Sequence, residues 1–106
     1  MGVRSRSTAG KQLNLDVAAT AVTLTVPDAA MCAEIHVRPT NDSGADTGPV
    51  SYTVDGTTPT ANIGTIAYEG DIILLNSRDE LEKFRVIEQT STDAEVDVNY
   101  FTDISG

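Results

Sequence analysis

VSYTVDGTTPTANIG, residues 50–64, gives the architecture its first fixed point. Val50, Tyr52 and Val54 fall on one side of an extended chain and Ser51 and Thr53 on the other, the period of two that marks a half-buried strand. Asp55-Gly56 ends that strand, because Gly accepts a positive φ and the Asp carboxylate can bond the backbone two residues on. Pro59 fixes its own φ, removes a donor and pushes Thr58 toward extended geometry. The chain therefore leaves the strand as an ordered loop, with Asp55, Gly56 and Pro59 as structural turn residues.

The same short period recurs on both sides of this segment. Leu13, Leu15 and Val17 alternate with Asn14 and Asp16, and Val22, Leu24 and Val26 alternate with Thr23 and Thr25, so two short strands joined by a small loop are expected before Pro27-Asp28. From Met31 to Arg38 the alternation is cleanest: Met31, Ala33, Ile35 and Val37 share one face, and Cys32, Glu34, His36 and Arg38 share the other. PTNDSGADTGP, residues 39–49, lacks large apolar residues and reads as a mobile surface loop. Beyond the central loop, Ile66, Tyr68 and Ile72-Ile73-Leu74-Leu75 give one or two strands broken by Glu69-Gly70-Asp71. The IILL run is apolar on both faces and is expected to be the most buried strand, with Ile73 and Leu74 as candidate residues of an apolar partner-binding face. Ser77-Arg78-Asp79-Glu80 has the spacing of a capping box, which predicts a helical turn carrying Leu81 inward. Strand character returns at Lys83 to Glu88 and again at Val96, Val98 and Tyr100. Seven to nine short strands with almost no helical pattern imply an all-β fold, an antiparallel β-sandwich or small barrel, with a compact sandwich of immunoglobulin-like or jelly-roll-like type foremost.

A chain of 106 residues suits one domain with a radius of gyration of roughly 13 Å. Its formal net charge of −9 is unevenly placed. Arg4, Arg6 and Lys11 all precede the first acidic residue, Asp16, whereas residues 12–106 carry four cations against sixteen carboxylates. The expected organisation is a basic, extended N-terminal arm over residues 1–11 ahead of a single acidic sandwich domain over 12–106, with Arg4, Arg6 and Lys11 as candidate partner contacts. Gly2, Ser5, Ser7, Thr8 and Gly10 cannot bury enough surface to order such an arm on their own. An acidic body without a basic patch interleaved with aromatics argues against nucleic acid as the partner. No apolar run approaches the roughly 20 residues of a membrane span. The basic start runs into Ser, Thr and Gly rather than the apolar stretch of a secretory leader, and the single cysteine, Cys32, gives no sign of a disulfide scaffold.

Constellations for catalysis are thin. His36 is the only histidine, and it lies four residues from Cys32 on the same strand face, roughly 13 Å along the strand, too far for a Cys-His pair. Asp79 with Glu80 and Asp93 with Glu95 lie in turn sequences without the apolar pocket that general-acid chemistry needs. Asp42 and Asp46 flank a Gly but miss the calcium-loop spacing, so neither metal nor cofactor is expected. Asn41-Asp42-Ser43 also matches the glycosylation sequon.

Ala-Val-Thr-Leu-Thr-Val-Pro (21–27), Ala-Glu-Ile-His-Val (33–37), Ser-Tyr-Thr-Val-Asp-Gly-Thr-Thr-Pro-Thr (51–60), Gly64, Glu69-Gly70-Asp71 and Phe84-Arg85-Val86-Ile87, in this order, resemble small virion proteins of tailed bacteriophages over about residues 20–101. The resemblance implies a non-enzymatic structural protein, foremost a capsid decoration (cement) protein that binds and stabilises the phage head. It also implies a homo-oligomer on the particle, touching the major capsid protein or another virion protein after synthesis in the host cytoplasm. Tyr-Thr-x-Asp-Gly-x-x-Pro-Thr is also similar to immunoglobulin-like modules attached to carbohydrate-active enzymes. A carbohydrate- or receptor-binding module on a tail or head fibre therefore stands as the alternative, although the chain has no Trp to form a sugar platform.

Overall fold

The alternating segments become seven strands and one short helix in a computed structural model that describes residues 7–102. In chain order these are β1 (Thr8–Val17), β2 (Cys32–Val37), β3 (Val50–Thr53), β4 (Thr65–Ala67), β5 (Ile72–Leu75), α1 (Arg78–Lys83), β6 (Arg85–Glu88) and β7 (Ala94–Phe101). All strand pairs are antiparallel, and they form a four-stranded sheet ordered β1-β7-β2-β5 and a three-stranded sheet ordered β4-β3-β6. The two pack as an all-β sandwich, with a radius of gyration of 13.7 Å.

Period-two patterning sets which side chains fill the space between the sheets. Ile35 and Val37 of β2, Val96, Val98 and Tyr100 of β7 and Ile73 and Leu75 of β5 are buried, as are Val50 of β3 and Val86 of β6. α1 packs against β2. Its N-cap Ser77 accepts a hydrogen bond from the Glu80 N–H, while the Glu80 side chain accepts from the Asn76 N–H rather than from Ser77. One turn later Leu81 is buried, and Phe84 just beyond the helix stacks obliquely on Tyr52 with ring centres 5.7 Å apart.

The central loop is built as its residues require. Gly56 has φ +88°, and Asp55 Oδ1 accepts from the Thr57 N–H at 3.0 Å. That bond is the first cause holding the Asp55 carboxyl below its ordinary value. Pro59 is fully buried, and Thr60 and Ile63 exchange two main-chain hydrogen bonds that turn the loop back. Gly64 (φ +128°) then passes so close to β3 that a Cβ would lie 2.6 Å from Ser51 Oγ and 2.9 Å from the Tyr52 carbonyl. Ser51 is fully buried beneath the loop and donates to the Ile63 carbonyl.

Five expectations change. Residues 22–26 join no ladder: Val22 makes one bridge to Val86, and the Thr25 N–H donates to Gln12 Oε1. Alternation reports which side is buried, here Leu24, and says nothing of a hydrogen-bonding neighbour. Secondly, β1 begins at Thr8, so Lys11 is a strand residue opposite Asn99 and not part of an arm reaching to residue 11. Pairing with β7 satisfies its main chain, which a polar composition does not prevent. Arg4 and Arg6 lie outside the described residues. Thirdly, β5 is not the most buried strand: it is a sheet edge, and Ile72 and Leu74 stand 61% and 56% exposed. Fourthly, Cys32, read as belonging to a polar face, is buried, 2% exposed. The loop at 39–49, read as mobile, is knitted by Asn41 Oδ1, which accepts from the Ser43 and Ala45 N–H groups, and by the bridge of Thr40 to Asp46.

Candidate interaction surface

Two parts of the four-stranded sheet's outward face carry distinctive chemistry, and they adjoin through His36. On β2, His36 lies opposite Asp97 of β7 on one side and Ile72 of β5 on the other.

The polar part starts from an irregularity in β1. Register shifts between Gln12 and Leu15, and Asn14 takes the left-handed φ of 55° that Asn tolerates better than most residues. The bulge aims the Asn14 N–H at Asp97 Oδ1 and its side-chain amide at Glu95 Oε1, both at 2.9 Å. Arg38 reaches the other Asp97 oxygen at 2.8 Å and the Thr40 carbonyl at 3.0 Å, with Glu95 3.9 Å from its Nε. Burial alone would raise the Asp97 carboxyl, but the Asn14 N–H, the Arg38 guanidinium and His36 together hold it below its ordinary value. Both oxygens of Asp97 are engaged, and the cluster pins a bulge to its neighbours. Beside it a concavity of about 330 Å³ is lined by Asp16, Asp46, Asp93 and Glu95 among others. Among the described residues no three His, Cys, Asp or Glu side chains gather in a metal-binding arrangement, and no helix is long and apolar enough to cross a membrane.

The apolar part lies at the β5 edge. Ile73 and Leu74, read together as one candidate face, are separated by the strand: Ile73 is 5% exposed and points into the core, and only Leu74 is on the surface. The exposed neighbour of Leu74 is Ile72, which sequence reading did not single out although the period of two pairs them. β4, the edge of the other sheet, leads into β5 through the turn Tyr68–Asp71, so both edges lie on one flank. That turn is held by Asp71, whose N–H donates to the Tyr68 carbonyl and whose side chain accepts from the Tyr68 N–H at 2.8 Å. Ile72 and Leu74 stand exposed on the outward face of the four-stranded sheet and Tyr68 is exposed in the turn before them, whereas Ile66, beside Ser51, faces outward from the other sheet. Single exposed apolar residues are ordinary, but Ile72 and Leu74 side by side on one edge strand, with Tyr68 exposed in the turn before it, form a candidate interaction surface.

Of the other residues singled out, Asp55, Gly56 and Pro59 form the turn described above and belong to no site, and Lys11 is exposed on β1 at the opposite edge of the same sheet. Compared with protein families, curated proteins and solved structures, this chain finds no match.

Proposed function

We propose that this chain is a non-enzymatic structural protein of a tailed-phage virion, a decoration (cement) protein that docks on the head and stabilises it. The observation supporting this reading is the pair Ile72 and Leu74, exposed together on the edge strand β5, with Tyr68 exposed in the turn before it. Burying such a surface against the major capsid protein or another virion protein would supply non-directional binding energy of about 25 cal/mol per Å² of apolar area removed from water. The sequence resemblance to phage virion proteins names the partner class.

The test is occupancy on purified heads lacking the chain. Full-length protein is expected to bind saturably and raise the temperature at which heads rupture, and Leu74→Lys, folded by circular dichroism, is expected to lose binding. Heads that bind nothing, alongside saturable glycan binding centred on Tyr68, would replace this reading with the carbohydrate- or receptor-binding module.

A further inference from the structure

Sheet edges invite unwanted pairing, and three of the four edges here carry devices that prevent it. β1 is interrupted by two register irregularities and bears Lys11 and Asp16. β4 has three residues, and β6 carries Arg85 and Glu88 and is covered at Val86 by the bridge from Val22. β5 itself carries no charge: its four residues are Ile, Ile, Leu and Leu, paired to β2 in unbroken register, and the irregularity at Gly70-Asp71, which together oppose Val37, lies just ahead of it.

The ladder parity shows what this open edge offers. The Val37 N–H donates to the Asp71 carbonyl at 2.9 Å, so in the antiparallel register Ile35 opposite Ile73 and Ala33 opposite Leu75 are the hydrogen-bonded pairs. Ile72 and Leu74 therefore turn their main-chain N–H and C=O groups away from β2, and they are the residues with exposed side chains.

We propose that β5 pairs antiparallel with β5 of a second copy about a two-fold axis through Ile73, joining two four-stranded sheets into one of eight strands. In that register Ile72 of each copy lies opposite Leu74 of the other as a hydrogen-bonded pair. Inward-facing Ile73 and Leu75 stay on the core side, and the outward row becomes continuously apolar across the seam. A shift by one residue would set outward side chains against inward ones, so the sandwich excludes the odd registers; a shift by two would set Leu74 opposite Leu74, which the crosslinks below distinguish. The acidic body does not forbid the pairing. Glu34, beside Leu74, meets His36 of the other copy across three strand spacings, roughly 14 Å, beyond the Debye length of about 8 Å at physiological ionic strength. At low salt the repulsion between two bodies of net charge −9 is unscreened.

The inference rests on the same flank as the docking reading, yet the two fail separately. In sedimentation equilibrium of the full chain, a dimer is expected at physiological salt, weakening several-fold at about tenfold lower ionic strength, and Leu74→Lys is expected to be monomeric throughout. Register is read by oxidative crosslinking. An equimolar mixture of Ile72→Cys and Leu74→Cys chains should crosslink, because the paired Cα atoms would sit about 5.5 Å apart, whereas neither variant alone should. A chain monomeric at every concentration and salt, a dimer indifferent to Leu74→Lys, or crosslinks formed as readily by one variant alone would overturn the pairing. Occupancy of heads by a strictly monomeric chain would do so too, while leaving the docking reading standing.

Discussion

Ile73 and Leu74 are adjacent in sequence and alike in chemistry, and placing an aspartate at each separates what the strand does inward from what it does outward. Ile73 is 5% exposed. Deleting a buried aliphatic side chain costs about 2–5 kcal/mol. An aspartate left in its place is expected to protonate, and a pKa raised by about 3 units costs a further ~4 kcal/mol at neutral pH. The sum approaches the whole stability of a domain this size, about 5–15 kcal/mol, so Ile73→Asp should be largely unfolded at 37 °C. Leu74 is 56% exposed, so losing its half-buried surface costs about 1 kcal/mol, lowering Tm by roughly 4–8 °C. Thermal unfolding followed by circular dichroism, at a concentration low enough to keep the wild type monomeric, measures both. Equal destabilisation by the two substitutions, or an Ile73→Asp protein melting within a few degrees of wild type, would refute the assignment of inward and outward faces.

Other consequences concern the loop and the tyrosine. Gly64→Ala should cost about 2–4 kcal/mol in chemical denaturation, because φ +128° is strained for alanine and its Cβ would strike Ser51 and Tyr52. Gly56→Val should cost about 1–3 kcal/mol from positive φ, with Asp55→Asn milder because Asn supports the same turn. Unchanged melting of Gly56→Val would remove the case for that turn. Tyr100 donates its hydroxyl to Gln12 Oε1, which also accepts from the Thr25 N–H, and burial pushes its hydroxyl up to about 12 from an ordinary 10. Its contribution should be complete below pH 10 and fall away as pH rises toward 12, since the unfolded chain ionises first. Tyr100→Phe should flatten that alkaline loss, and an unaltered profile would mean another group causes it.

What the sequence made legible was local. Ser77 three residues before Glu80 announced a helix start, Asp55-Gly56 a turn, and the Met31–Arg38 alternation an inner and outer face, because each depends on neighbours within about four residues. Pairing partners were not legible. Residues 22–26 alternate as well as β1 does, yet find one bridge and a glutamine side chain instead of a ladder. The bulge at Asn14 carries no local signature, and the Asp97 it bonds lies 83 residues away. The IILL run showed apolar character on both faces, but whether such a strand sits in the middle of a sheet or at its edge depends on strand order, which period-two patterning does not encode.

Residue-resolved amide hydrogen exchange on β5 tests most directly whether its open edge is the docking edge. In the free monomer the Ile73 and Leu75 amides, bonded to β2, should be protected while those of Ile72 and Leu74 exchange quickly. On assembly, with a second copy or on a phage head, Ile72 and Leu74 should gain protection of at least about tenfold. Fast exchange at both residues in the assembled state would contradict docking through this strand's main-chain edge.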